Sequence, residues 1–485
     1  MTAVLDPSNV LEGKYVISKS RDWPEGLKET RLTPIWSLAT DDDLNIVEIQ
    51  SGGQRRGWLI GVVVDLDAKS VCMNSLVLET GESLESIWEA ICRRCAGSWL
   101  CILDHGHEIE VRPDASATIG AVYDPDKRRI ASHAFLLTGD AYSARLKESE
   151  RSVNGVDRDG WFTGGLTAHS GIMRLLPNHC LGTIDFVPVR VPQNMPDYQI
   201  DVGAILDEIA SEISDTVTAL ASDKPTTVCL TGGNETRALL ASLRCSAKSL
   251  PFMTIDYPQS IDAVLAGRLA VIANLDHSTR SRIEATEQEK QEWRIGAGHA
   301  MAGANKDYFP SVSPLAGQYL VGGLGGEVGR GFLWPTELEA DDNVSTDLIL
   351  ARLKMPRSQS NFDVVRNWHA NLPSGLDAFQ VLDLAYLELR MGPWAFGQPR
   401  MRAAPRSIHP LISYTQFSRM FSISPAIRAR DQMLLEITKR QWPELLDIPI
   451  NKHGDWRDFW NDFVRAVSSP SRVLRKIKHV LLSKL

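Results

Sequence analysis

Two glycine turns carry the residue types that could do chemistry. In "TTVCLTGGNETRALLASL", residues 226–243, a β-branched, apolar run breaks into Gly232-Gly233 and resumes as a helix with Ala238, Leu239, Leu240 and Leu243 on one side. A strand that turns through glycines into a helix offers backbone N–H groups and the positive end of a helix dipole to an anion. Leu230, Thr231, Gly232, Gly233 and Thr236 would line such a cradle with amides and hydroxyls, and Arg237 would pair with phosphate oxygens or face solvent in the first helical turn. Glu235 has the wrong charge for a bare phosphate and the right one if Mg²⁺ lies between them. The later "LVGGLGGEVGRG", residues 320–331, repeats the logic with Gly322-Gly323 at a strand end and Glu327 shortly after. Two carboxylates at two strand ends would clamp a metal and a triphosphate. Neither turn is a Walker A loop, because no Gly-Lys-Ser/Thr follows, and the first lacks the third glycine of a dinucleotide fingerprint. A purely structural βα turn is the alternative for each.

The elements that must position these turns fall into two halves. Up to about residue 190 the chain reads as short β-prone runs such as "KYVISKS", "WLIGVVVDLD" and "SWLCILDHG". One helix interrupts them at "SLESIWEAICRRC", behind the cap Ser83. The stretch "DFVPVRVPQNMPDYQ" reads as a linker. Beyond it helices and strands alternate: "VGAILDEIASEISDTVTALAS", "TTVCL", the helix after the glycines, "SLPFMTID", "DAVLAGRLAVIANL" and "GQYLVGG". Alternation of this kind predicts a parallel sheet covered on both faces, with ligands at the carboxyl ends of its strands. The expected fold is therefore α+β followed by α/β, divided into 1–192 and 193–485.

Composition narrows the function class. A chain of 485 residues with 43% hydrophobic and 23% charged content is a globular protein of two domains. A net charge of −8 argues against general nucleic-acid binding. No apolar run is long enough to cross a bilayer, and "MTAVLDPSNV" lacks the features of a secretory signal, so a cytoplasmic location is expected. Seven cysteines fit reduced thiols, and Cys92 and Cys95 have no second pair at zinc-like spacing. The tail "SRVLRKIKHVLLSKL" carries five Lys/Arg, no acid and an apolar stripe. Weak contact of residues 472–485 with an anionic membrane surface and docking on the protein's own acidic surface are both open.

"LTGGNETR" resembles the Ser-Gly-Gly-x-Asp-Ser pyrophosphate loop of the N-type ATP pyrophosphatases, and "GGLGGEVGRGF" resembles the acidic glycine-rich motif of their asparagine synthetase branch. "GSWLCILDHGHEIEVRPDASATIGAVYD" and "GIMRLLPNHCLGTIDFVPVRV" are similar to that family's glutaminase-type, Ntn-hydrolase-like domain. "YLELRMGPWAF", "SIHPLISY" and "QWPELLDIPINK" resemble the helical part that lines its acceptor pocket, near which Trp334, Trp394 and Trp442 would lie. The resemblance implies an N-terminal αββα domain and a C-terminal adenine-nucleotide (PP-loop) domain. It also implies ATP and Mg²⁺ as cofactors and a small-molecule or peptide carboxylate and an amine as substrates. A homodimer is a further expectation.

Four positions bear on activity. Glutamine-dependent members begin with a nucleophilic Cys after Met, whereas residue 2 here is Thr, which implies that glutaminase activity is absent, as in the β-lactam synthetases and lasso-peptide cyclases of the family. Glu235 and Glu327 stand for the family's metal-binding aspartates, and Thr231 and Thr236 for its serines. Leu324 replaces a residue that helps activate the amine, leaving Glu388 and Asp383 as candidate bases or as a solvated helix face. Lys452, nine residues after Pro443, matches the lysine that stabilises the adenylate, or is a surface lysine. The expected function is an AMP-forming amide ligase without glutaminase activity. The alternatives are glutamine-dependent asparagine synthesis and a catalytically silent nucleotide- or partner-binding protein.

Overall fold

The computed structural model describes residues 11–452 apart from 80, 82, 157, 193–194, 200, 258–259, 302–308, 397–400 and 430–431. Thr2 and the basic tail 472–485 lie outside the described residues. Among those described, the strands form three sheets, and none of the three runs across the proline-marked stretch near residue 192.

Residues up to Arg190 build two sheets packed face to face. The six-stranded sheet has Tyr15–Ser18 between Arg129–Ala131 and Ser37–Thr40, and the larger sheet centres on Gln54–Asp65 and Cys95–Asp104. Alternation decides the layering. Tyr15, Ile17 and Leu38 of one sheet meet Trp58, Ile60, Leu100 and Ile102 of the other in a shared core. On the larger sheet's far face Leu59, Val63, Trp99 and Cys101 receive Ile87, Trp88 and Ile91 of the Leu84–Arg94 helix, whose N-cap Ser83 accepts from the Ser86 amide as expected. The far face of the smaller sheet covers its Val16, Val122 and Ala131 with Leu136, Leu137 and Phe162. Helix, sheet, sheet and a further segment containing Leu136, Leu137 and Phe162 thus stack in layers.

From Gly203 onward the chain forms a five-stranded sheet, parallel throughout, in the order Asp276–Ser281, Pro251–Asp256, Thr226–Cys229, Tyr319–Val321, Arg406–Ile408. The helix Gly203–Asp223 covers it with a stripe of Leu206, Ile209, Ile213, Val217 and Leu220. This helix stops at Lys224, which is extended ahead of Pro225, as a residue preceding proline must be. The two halves share a core in which Val62, Val64 and Trp161 pack with residues of the second half.

Several strands were not foreseen. The presumed linker contributes the edge strand Pro188–Arg190, whose residues are mostly exposed and so lack apolar alternation. Asp276–Ser281, "DHSTRS", is likewise a polar edge strand, held by six parallel pairings to Pro251–Asp256 rather than by burial. Within it His277 Nε2 lies 2.9 Å from the Thr254 hydroxyl.

Candidate functional site

The sheet order places the two glycine turns side by side. The chain runs outward in one direction from Thr226–Cys229 and in the other from Tyr319–Val321, so these neighbouring strands flank the point where the order reverses. Open α/β sheets hold ligands at such a point. Both glycine pairs follow the carboxyl ends of these two strands.

In the first turn, Leu230 belongs to the sheet rather than to the open loop. Its amide donates to the Met253 carbonyl at 2.8 Å and its own carbonyl accepts from the Thr254 hydroxyl at 2.6 Å. Thr231 and Thr236 bring their hydroxyls within 2.8 Å of each other, and the Thr231 amide donates to Thr236 Oγ1 at 3.0 Å. The Gly233 amide donates to Thr231 Oγ1 at 3.3 Å. The Gly232 amide donates to Asp262 Oδ1 at 2.8 Å, so a carboxylate oxygen already stands where an anionic ligand oxygen would be bound. A Cβ on Gly232 would come within 2.4 Å of Leu265 Cδ1, which explains the glycine by close packing. Gly233 caps the Asn234–Ser242 helix without a side-chain bond, leaving that end uncapped by any side chain of the cap residue.

The second turn folds against the first. A Cβ on Gly323 would meet Glu235 Cβ at 2.8 Å and the Thr236 amide nitrogen at 3.3 Å, and one on Gly326 would meet Glu235 Cγ at 2.9 Å. Glu235 therefore lies across the second turn, and both glycines are small because of it. Gly322 donates its amide to the Ile408 carbonyl at 3.1 Å and approaches the His409 ring. Glu327 accepts from the Gly325 amide at 3.1 Å. Its acid is pushed above the usual carboxylate range by burial, and the charge of Glu235 adds to this. Arg330 offsets part of that repulsion with its guanidinium 3.3 Å from Glu235. Glu235 and Glu327 thus lie close enough for their charges to interact. Leu324 is half-buried beside the shared core.

Arg237 departs from expectation. It is fully buried, with its guanidinium donating to the carbonyls of Leu445 at 3.2 Å, Pro449 at 3.0 Å, Gly232 at 3.4 Å and Ile448. Burial lowers its pKa to about 10. It binds no phosphate from there, but it fastens the 445–449 segment to the glycine turn. Asn451 continues this segment by donating its amide to the Gly232 carbonyl at 3.2 Å, which leaves the exposed Lys452 next in chain beside the loop.

Glu388 and Asp383 are neither solvated nor free. Glu388 is fully buried and receives both Arg190 terminal nitrogens at 2.6 Å, Trp368 Nε1 at 2.6 Å and Asn178 Nδ2 at 2.9 Å. Burial works to raise its pKa, but the Arg190 charge leads a set of partners that holds it below the ordinary value. Asp383 pairs with the buried Arg428 at 2.7 and 2.8 Å, while burial still pushes it up to about 6. Arg428 in turn donates to the Val328 carbonyl at 2.5 Å, so this pair supports the Glu327 turn. The helix expected to carry exposed acids instead has its acids facing the core.

Other residues at the crevice were not foreseen. Ala385–Met391 forms a π-helical turn, and turns of this kind re-aim side chains at functional sites. It places Tyr386 5.0 Å from Phe332, ring to ring. Burial and then the charge of Glu327 push the Tyr386 hydroxyl well above its ordinary value, so it remains a donor. Of the three tryptophans expected at the acceptor crevice, Trp394 lies beside Arg390 of this turn, whereas Trp334 packs on Phe379 and Trp442 lies under Arg244. The spacing of Arg330, three residues after Glu327, is a signal that could have pointed to its role.

Among the described residues no group of three or more His, Cys, Asp or Glu gathers as a metal site. No helix among the described residues is long and apolar enough to cross a membrane. The chain matches no family model, and no curated protein matches it.

Proposed function

We propose that this protein is an ATP-dependent, AMP-forming amide ligase that adenylates a carboxylate and passes it to an amine, without glutaminase activity. The observation that carries this reading is the joining of two glycine turns at the reversal point of a parallel sheet, with Glu235 laid across Gly323 and Gly326 beside Glu327.

The residues fit Mg²⁺ and a nucleotide. Glu327 has a raised pKa next to another carboxylate, a repulsion that a divalent cation would relieve. The Gly232 amide already donates to a carboxylate oxygen in the place of an anion. Mg²⁺-ATP, when bound, supplies an α-phosphorus open to attack by the acid and a pyrophosphate leaving group. Thr231, Gly232, Gly233 and Thr236 would hold the pyrophosphate oxygens through amides and hydroxyls, which requires Asp262 to yield the Gly232 amide. Glu235 and Glu327 would hold Mg²⁺. Gly322 and Gly323 would allow close approach to the nucleotide. Lys452, steadied by Asn451 and Arg237, would place positive charge where negative charge grows during acyl transfer. Glu388 and Asp383 act as positioning residues, so the amine enters already neutral or loses its proton to water.

A second reading, a catalytically silent nucleotide-binding protein, is favoured by Leu324, which can neither take a proton nor orient an amine. Exchange of labelled pyrophosphate into ATP with panels of acids separates the two. Acid-dependent exchange that disappears in Glu327→Gln supports the ligase. Nucleotide binding without exchange for any acid, and without pyrophosphate release when amines are added, supports the silent reading.

A further inference from the structure

Arg390 has an arrangement that the fold alone does not explain. Its guanidinium carbon lies 4.9 Å from the Trp161 ring, 4.9 Å from the Phe332 ring and 5.7 Å from the Trp394 ring. Such a box holds a cation and fixes its plane. Arg390 is half-buried, yet among the described residues it has neither an ion pair nor a hydrogen bond, in contrast to the buried Arg190, Arg237 and Arg428. Two further donors lie close by without acceptors: Trp394 Nε1 and Arg330 Nε, both buried.

The box adjoins the acidic pair through one ring. Phe332 lies between Arg390, 4.9 Å away, and Arg330, 5.3 Å away, and Arg330 is 3.3 Å from Glu235. Phe332 is 38% exposed, so the box has an edge open to solvent. The carbonyl of Leu389, the residue before Arg390, is already taken by Trp161 Nε1 at 2.9 Å and Thr163 Oγ1 at 3.1 Å. Donors are in excess and acceptors are committed, which selects a ligand that only accepts.

We infer that Arg390 is the anchor for the acid substrate, binding its carboxylate edge-on and selecting an acid with a flat, apolar body. A carboxylate meets a guanidinium in its plane through two parallel hydrogen bonds. That approach leaves the substituent against Phe332 and Trp394, where an aromatic or alkenyl group buries surface and a hydrated group would lose water without compensation. Trp394 Nε1 supplies a further donor to the same head group. The inference rests on the ligase reading, because it takes the bound anion to be the reacting acid.

Calorimetry on the full chain, without nucleotide, tests it using benzoate as the flat acid, benzamide as its neutral shape match and acetate as the acid without a body. Benzoate is expected to bind about ten-fold or more tightly than benzamide, since a hydrogen-bonded charge is at stake. It should also bind more tightly than acetate. Arg390→Met should reduce benzoate to the level of benzamide while leaving Mg²⁺-ATP affinity and thermal midpoint unchanged. Trp394→Phe, which keeps the ring and removes the N–H, should give a smaller loss for benzoate and none for benzamide, and it serves if Arg390→Met does not fold. Equal binding of benzoate and benzamide, absence of benzoate binding, or unchanged benzoate affinity in either variant overturns the inference. Benzoate binding that depends on Arg390 in a protein that fails to bind Mg²⁺-ATP upholds the acid site and sinks the ligase reading; the reverse pattern sinks only the acid site.

Discussion

The side chain of Glu235 rests on the backbone of Gly323, at a spot where a methyl group would come within 2.8 Å of its Cβ. This contact joins the two turns into one site, because neither the first turn of the Asn234–Ser242 helix nor the second turn can shift without the other. Gly323→Ala is expected to cost about 1–3 kcal/mol of stability, the usual range for overpacking. It should also weaken Mg²⁺-ATP binding by displacing Glu235. Urea unfolding and calorimetry measure both, and wild-type nucleotide affinity in a destabilised variant would show that Glu235 holds no metal.

Glu327 gives a pH signature. Its pKa is raised in the folded state by burial and then by Glu235, so the folded protein keeps a proton at pH values where the unfolded chain has lost it. The ionised form therefore opposes folding at neutral pH, and this penalty fades as pH falls through the raised folded value. Glu327→Gln should match or exceed the wild type in thermal midpoint at pH 7 without Mg²⁺, with the difference shrinking towards pH 4. Turnover should vanish. A variant less stable than wild type at pH 7 would contradict the repulsion.

Arg237 tests the link between the loop and Lys452. Arg237→Met leaves the carbonyls of Leu445, Ile448 and Pro449 without their donor in a buried place. Each unsatisfied group costs about 1–3 kcal/mol. Faster proteolysis near residues 445–452 than elsewhere is expected, together with a fall in kcat matching that of Lys452→Ala. Uniform proteolysis with kcat retained would separate the segment from the reaction.

Glu388 and Arg190 lie on opposite sides of the boundary between the halves and make a buried pair at 2.6 Å. Removing one partner of a buried pair costs about 3–5 kcal/mol. Glu388→Gln should lower the thermal midpoint strongly, and at a temperature where the variant is folded its activity should keep the wild-type pH profile. Loss of the acid limb from that profile would restore Glu388 as a general base.

The sequence by itself determined the local elements and the two turns. Glycine pairs after β-branched runs admit little else, and the spacing of Leu206, Ile209, Ile213 and Val217 marks a helix wherever it packs. It also separated the halves, since strand-rich and alternating stretches cannot share one sheet easily. What lay beyond it was decided by tertiary contact. Thr226–Cys229 and Tyr319–Val321 are neighbours because of sheet order, which no local pattern encodes. Arg237 points inward because a distant segment brings carbonyls to it, whereas an arginine in a first helical turn is equally suited to solvent. The edge strand Asp276–Ser281 has no buried face and hence no period to read. On the helix of Asp383 and Glu388, spacing at 3.6 residues per turn misplaces the side chains, because Ala385–Met391 is a π turn that shifts the register. That shift turns Glu388 to Arg190 and sets Arg390 among three rings, and only packing across the two halves could select it.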